Sequence, residues 1–83
     1  MARTFHLTVA RVGENLFDGE AVSATLPGDE GMFQVLAGHE ALVSELTVGG
    51  EMSVVSADEH THRFTLPRGG VVEVSNNQAT VLL

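Results

Sequence analysis

Cysteine is missing from the 83 residues, so neither a disulfide framework nor a thiolate metal site supports this small chain, which suits a reducing compartment. Lysine is missing as well. The four basic residues are all arginine, they face eleven Asp and Glu, and the formal net charge is −7. Such a surface repels phosphate backbones and excludes nucleic acid as a partner. It suits a basic protein partner, and equally plain solubility. No apolar run approaches the ~20 residues that a membrane-spanning helix needs, and no basic leader followed by an apolar stretch stands at Met1. The expectation is a soluble protein that reaches a membrane only through a partner. Repeats, linkers and low-complexity segments are also absent, leaving one domain over residues 1–83. A chain of this length buries only about 60% of the surface of its unfolded form, so the core is modest.

What the chain does have is alternation. Phe5, Leu7 and Val9 fall on one face of a period-two segment, with Thr4, His6 and Thr8 on the other, as in a half-buried strand. His6 is placed on the outer face of an edge strand. Gly13-Glu14-Asn15 reads as a turn, Leu16-Phe17 as an apolar anchor before Asp18-Gly19, and Glu20 to Leu26 as a second strand with Val22, Ala24 and Leu26 on one side. Pro27-Gly28-Asp29-Glu30-Gly31 is a turn by its proline and glycines. A short apolar run, Met32 to Leu36, ends at Ala37-Gly38-His39. Residues 40–46 fit either a helix or a strand. They are too few for a stable helix, and Leu42, Ser44 and Leu46 share a strand face, so a strand is expected. Strands follow at Glu51–Val55 and Arg63–Leu66 around a polar tip at Ala57–His62. Val71–Val74 and Ala79–Leu83 make a last hairpin. The sum is an all-β sandwich or flattened barrel of about eight to ten short, mainly antiparallel strands.

Such a body has little room for a catalytic cleft, and the candidate chemistry is thin. His60 and His62 would share a strand face with Asp58, a spacing that can hold zinc or iron. A cupin-type barrel also needs a carboxylate a few residues on, where Arg63, Phe64, Thr65, Leu66 and Pro67 stand instead. The tip is therefore read as a solvated hairpin, with a small metal-binding barrel as the alternative and no metal or other cofactor expected. No Gly-x-Ser-x-Gly elbow is present. The neighbouring pairs Asp29-Glu30 and Asp58-Glu59 lie in turns where charge is normally solvated, and Gly69-Gly70 lacks the strand-loop-helix setting of a phosphate cradle. His39, in a turn beside Ala41, Leu42 and Val43, is either a bland loop residue or part of a contact patch.

Five segments in order carry a family resemblance: Phe5-His6-Leu7-Thr8-Val9; Leu16-Phe17-Asp18-Gly19; Pro27-Gly28-Asp29-Glu30-Gly31; Gly38-His39-Glu40-Ala41-Leu42; and Gly69-Gly70-Val71-Val72-Glu73-Val74 followed by Thr80-Val81-Leu82. Together they resemble the N-terminal β-sandwich domain of the epsilon subunit of F-type ATP synthases, over essentially the whole chain. The resemblance implies a non-catalytic part of the rotary central stalk, on the cytoplasmic face of the bacterial inner membrane. There it grips the gamma subunit and rests on the polar loops of the membrane c-ring, coupling ion flow to ATP synthesis. Carried over by position, Asp29, Glu30, Gly31 and Met32 fall at the c-ring contact, and His39, Leu42 and Ser44 face gamma. An acidic turn suits loops that carry arginine. An unrelated β-sandwich adaptor is the remaining alternative.

The chain departs from the family at Ala37 and Ala41, where prolines are usual, at Gln34, where glycine is usual, and at Val48, which replaces the proline of a Pro-Gly turn. The tip around Asp58 to His62 is about two residues longer than usual, and each change loosens a turn without touching the core strands. Family members continue past the Thr-Val-Leu segment into two helices that can inhibit ATP hydrolysis and in some bacteria bind ATP. The sequence in hand stops at Leu83, so a coupling and assembly role alone is expected of it.

Overall fold

The period-two pattern becomes eight strands in the computed structural model, which describes residues 3–83. The leader reading at Met1 lies outside these residues. In chain order the strands are β1 (Phe5–Arg11), β2 (Glu14–Gly28), β3 (Gly31–Leu36), β4 (Leu42–Leu46), β5 (Gly50–Ser56), β6 (Thr61–Leu66), β7 (Gly70–Ser75) and β8 (Gln78–Leu82). All pairs are antiparallel except β1 with β8, which run parallel.

The organising element is β2, 15 residues long. Its first half pairs with β1, from Glu14 opposite Arg11 to Ala21 opposite Phe5. Its second half pairs with β3 on one edge and β5 on the other. One layer is therefore β2 (first half), β1, β8, β7 and β4, and the other is β3, β2 (second half), β5 and β6. A single bridge, Gly28 opposite Leu46, returns β4 to β2. Apolar residues of both inner faces meet between the layers. Phe5, Leu7, Val9, Val72 and Val81 come from one, and Leu26, Val35, Met52, Val54 and Leu66 from the other, each almost wholly buried. Every such side chain adds roughly 1.5–3 kcal/mol relative to exposure, and this shared burial holds the layers face to face.

The all-β expectation holds, with eight strands, and β4 is the strand that the Leu42–Ser44–Leu46 face implied. Four local expectations are corrected. The first turn is Val12-Gly13, with Gly13 at φ 75°, and Glu14 and Asn15 already belong to β2. The second strand does not begin at Glu20: Asp18 pairs with Thr8 and Gly19 with Leu7, so the cross-strand ladder carries β2 through Asp18-Gly19. β1 is flanked by β2 and β8 and is not an edge. The pairing of β2 with β5 slips between Ala21 and Ser23. This bulge inserts one residue and switches the inward parity. Ala21 is buried before it, Ala24 and Leu26 after it, and Val22 is only half-buried. Among the described residues no helix is long and apolar enough to cross a membrane.

Candidate functional site

The acidic turn is a two-residue hairpin between β2 and β3. Gly28 opposes Gly31, and Asp29 and Glu30 form the exposed loop. Gly31 has φ 120°, which only glycine adopts without strain. A Cβ on Gly28 would lie 3.0 Å from the Phe33 ring, so glycine lets that ring close over the turn. The base of the turn is braced from the β4–β5 connection. The Thr47 N–H donates to the Pro27 carbonyl at 2.8 Å, and its hydroxyl donates to the Gly28 carbonyl at 3.2 Å. Among the described residues neither Asp29 nor Glu30 joins an ion pair. Two unpaired carboxylates and the 61%-exposed Met32 thus stand on a fixed base.

Ser44 lines the same shallow depression as residues 28–33, together with Val43 and Glu45. The expected c-ring turn and one expected gamma residue are therefore adjacent. His39 lies farther along this flank, in the β3–β4 connection. Its N–H donates to the Leu36 carbonyl at 3.1 Å, and its Nδ1–H to the Glu40 carbonyl at 2.7 Å. With Nδ1 so occupied, Nε2 is the ring atom left for a partner. Leu42 is half-buried against the core, and the Ser44 hydroxyl donates to the Glu45 carbonyl at 3.0 Å. His39, Leu42 and Ser44 thus lie along the opening between the free edges of β3 and β4. This flank therefore presents unpaired backbone, one imidazole nitrogen and a modest apolar surface.

Two features were missed in the sequence. On the outer face of β4, β7 and β8, Val43 opposes Glu73, Glu45 opposes Val71, and Val71 opposes Leu82. Val43, Val71 and Leu82 are exposed by 71%, 41% and 56%, which makes an apolar strip flanked by two carboxylates. The signal was the pair Val71-Val72, which puts valine on both faces of one strand. The second feature is Asn77. Its Oδ1 accepts from the Gly38 N–H at 2.9 Å, and its Nδ2 donates to the Thr4 carbonyl at 3.0 Å. One side chain ties the β7–β8 turn, the start of β1 and the turn carrying His39.

The histidine-rich tip does not gather ligands. His60 precedes β6 and pairs through Nδ1 with Asp58 Oδ2 at 2.9 Å. His62 meets Ser56 rather than Asp58 or His60, with Nε2 3.2 Å from the Ser56 hydroxyl and its ring edge-on to Phe17 at 5.1 Å. Ser56 is buried and donates its proton to Asp58, which holds that carboxyl well below the usual range, with His60 adding to the effect. A serine whose proton is committed to a carboxylate is not activated by the nearby imidazole. Among the described residues no group of three or more His, Cys, Asp or Glu could hold a metal ion. On the outer face of β1, His6 sits between Asp18 Oδ1, 2.6 Å from Nε2, and Glu20 Oε2, 3.1 Å from Nδ1. The Thr8 and Thr4 hydroxyls donate to the same two carboxylates. The hydrogen bond to Asp18, then that to Glu20, raises the His6 pKa above its ordinary value.

A two-layer β body with free strand edges and an unpaired acidic turn on one flank, and with no cluster of metal ligands among the described residues, offers surfaces rather than a cleft. Residues 4–83 match the ATP synthase Delta/Epsilon chain β-sandwich domain, and the chain belongs to that family. It is 37% identical over 79 residues to the ATP synthase epsilon chain of Bordetella avium, covering 95% of this chain and 55% of that one. It is 32% identical over 80 residues to that of Chlorobium limicola, covering 96% and 89%. It thus spans little more than half of the Bordetella protein and most of the Chlorobium one. Among solved structures it resembles a chain of the Euglena gracilis mitochondrial ATP synthase, in its OSCP/F1/c-ring assembly. The TM-score is 0.86 at 25% identity, over 95% of this chain and 49% of that one. The fold also matches a chain in the central stalk and c-ring structure of the Tetrahymena thermophila mitochondrial enzyme, with a TM-score of 0.76 at 17% identity. Membership of this family removes the metal-barrel and unrelated-adaptor alternatives.

Proposed function

We propose that this domain is a non-catalytic element of the central stalk of a rotary F-type ATP synthase. It is held between the gamma subunit and the polar loops of the c-ring, at the cytoplasmic face of a bacterial inner membrane. The reading rests on one observation, a family match that runs through every strand, from residue 4 to residue 83. The side chains supply its physical content. Asp29 and Glu30 are unpaired on a braced hairpin and meet arginine-bearing c-ring loops, with Gly31 and Met32 completing that contact. His39, Leu42 and Ser44 face gamma along the opening between β3 and β4, and the neighbouring Val43 extends that surface outward. No side chain transfers a group or a proton to substrate in this role. The domain transmits torque because it is stiff and gripped on two surfaces.

The test is co-expression with the gamma subunit of the same organism, which is expected to give a stoichiometric complex through a patch on the order of 800 Å² per partner. Gamma eluting alone at micromolar concentration refutes the reading. Asp29→Lys with Glu30→Lys leaves the gamma complex intact and weakens attachment of that complex to solubilised c-ring by about threefold to tenfold, as two rim ion pairs allow.

A further inference from the structure

Three of the four arginines of this acidic chain, Arg11, Arg63 and Arg68, surround one depression of about 590 Å³. It lies between the β1–β2 hairpin and β6, on the flank opposite the acidic turn. Its floor is apolar: Leu16, Phe64 and Leu83 are partly buried against the core. No Asp or Glu lines it. Arg11 is bound to Glu14 at 2.9 Å, while Arg63 and Arg68 join no ion pair among the described residues. β6 is the last strand of its layer, so one of its edges carries unpaired backbone groups.

We propose that this groove is a docking site for an extended acidic segment of a partner protein. The segment adds along the free edge of β6, with alternate side chains directed to opposite faces. Apolar residues enter the floor over Leu16 and Phe64, and carboxylates meet the guanidinium groups of Arg63 and Arg68. Alternation in the ligand follows from strand geometry, because successive side chains of an added strand point to opposite faces. The acidic character follows from charge: the guanidinium fork takes carboxylates in two parallel hydrogen bonds, and three of the four arginines gather here. An anionic bilayer meets the repulsion of a body with net charge −7, so a narrow segment that touches only the groove is the occupant that fits. This site is separate from the proposed gamma and c-ring contacts and stands without them.

The probe is a fluorescein-labelled octapeptide alternating Glu with Leu or Val, read by fluorescence anisotropy against the full chain. Binding is expected to weaken about tenfold when Gln replaces Glu in the peptide, and by a similar factor in the Arg63→Glu, Arg68→Glu double variant. It also falls as sodium chloride rises. Arg3→Glu, away from the groove, leaves it unchanged. Both substituted arginines are exposed, and an unaltered melting temperature shows that the double variant is folded. Equal binding of the Glu and Gln peptides overturns the proposal. So does peptide binding that the double variant retains, or a groove that takes ATP or phosphatidylserine vesicles and leaves the peptide in solution.

Discussion

Replacing Asn77 by glycine isolates a side chain that ties two turns to the start of β1. Asn76 and Asn77 are the two central residues of the β7–β8 hairpin, with φ of 51° and 60°. Positive φ at both positions is the mark of a type I′ turn. Alanine would add backbone strain at either position, whereas glycine accepts this conformation freely and deletes only the side chain. At Asn77 that deletion removes the bonds to the Gly38 N–H and the Thr4 carbonyl. At Asn76, which joins no side-chain hydrogen bond among the described residues, it removes none. Both substitutions loosen the unfolded chain equally, so their difference reports the two hydrogen bonds. At a net of roughly 0.5–1 kcal/mol each for exposed groups, Asn77→Gly is less stable than Asn76→Gly by about 1–2 kcal/mol. For a domain of this size each kcal/mol moves the melting temperature by about 4–8 °C. Thermal unfolding followed by circular dichroism reads it directly. Because Gly38 precedes His39, affinity for gamma falls in the same variant. Melting temperatures of the two variants that agree within about 2 °C would refute the claim that Asn77 braces this region.

Two further predictions use groups outside the proposed contacts. The raised pKa of His6 makes its contribution to stability complete below the ordinary value of 6.5 and lost as pH rises through the higher folded value. Wild type therefore gains on His6→Gln between about pH 8.5 and about pH 5.5 in paired melting curves, and an equal gap at both ends contradicts the Asp18–His6–Glu20 assignment. A Cβ on Gly70 would stand 2.6 Å from the Leu82 carbonyl oxygen, so Gly70→Ala forces β7 and β8 apart. It costs about 1–3 kcal/mol in urea unfolding, and a loss under about 0.5 kcal/mol shows that the hairpin accommodates the methyl group.

The strands that were legible in the sequence are those whose alternation is also their burial. Phe5, Leu7 and Val9, or Val72 and Val74 against Ala79 and Val81, are buried as their parity requires. Legibility fails where a long-range pairing decides. Asp18-Gly19 has the local chemistry of a turn and becomes strand only because β1 lies alongside. The bulge at Val22 left no trace because Val22, Ala24 and Leu26 form an unbroken apolar parity, while Ala21, the residue buried before the bulge, is small enough to suit either face. The parallel contact of β1 with β8 joins the two ends of the chain and has no local signal. The acidic turn was visible because Pro27, Gly28 and Gly31 announce it. The strip of Val43, Val71 and Leu82 and the arginine groove were not, because each assembles residues from three or more separate segments whose adjacency is a property of the sandwich.

Charge and mechanics then meet in the same topology. β3 and β6 are opposite ends of one layer, and β4 and the first half of β2 are opposite ends of the other. One flank therefore collects Asp29, Glu30 and Glu45, and the other Arg11, Arg63 and Arg68. Individual rim pairs are weak, yet opposite charge on opposite flanks fixes which way the body turns as it meets its partners. A load that enters through one layer and leaves through the other must pass between them. In a sandwich held by side-chain contact alone, that load would slide one sheet across the other. Here β2 runs uninterrupted through both layers, bonded to β1 in one and to β3 and β5 in the other. Sliding the layers therefore means breaking ladder hydrogen bonds, and the long strand that local composition concealed is the feature that stiffens the domain against shear between its layers.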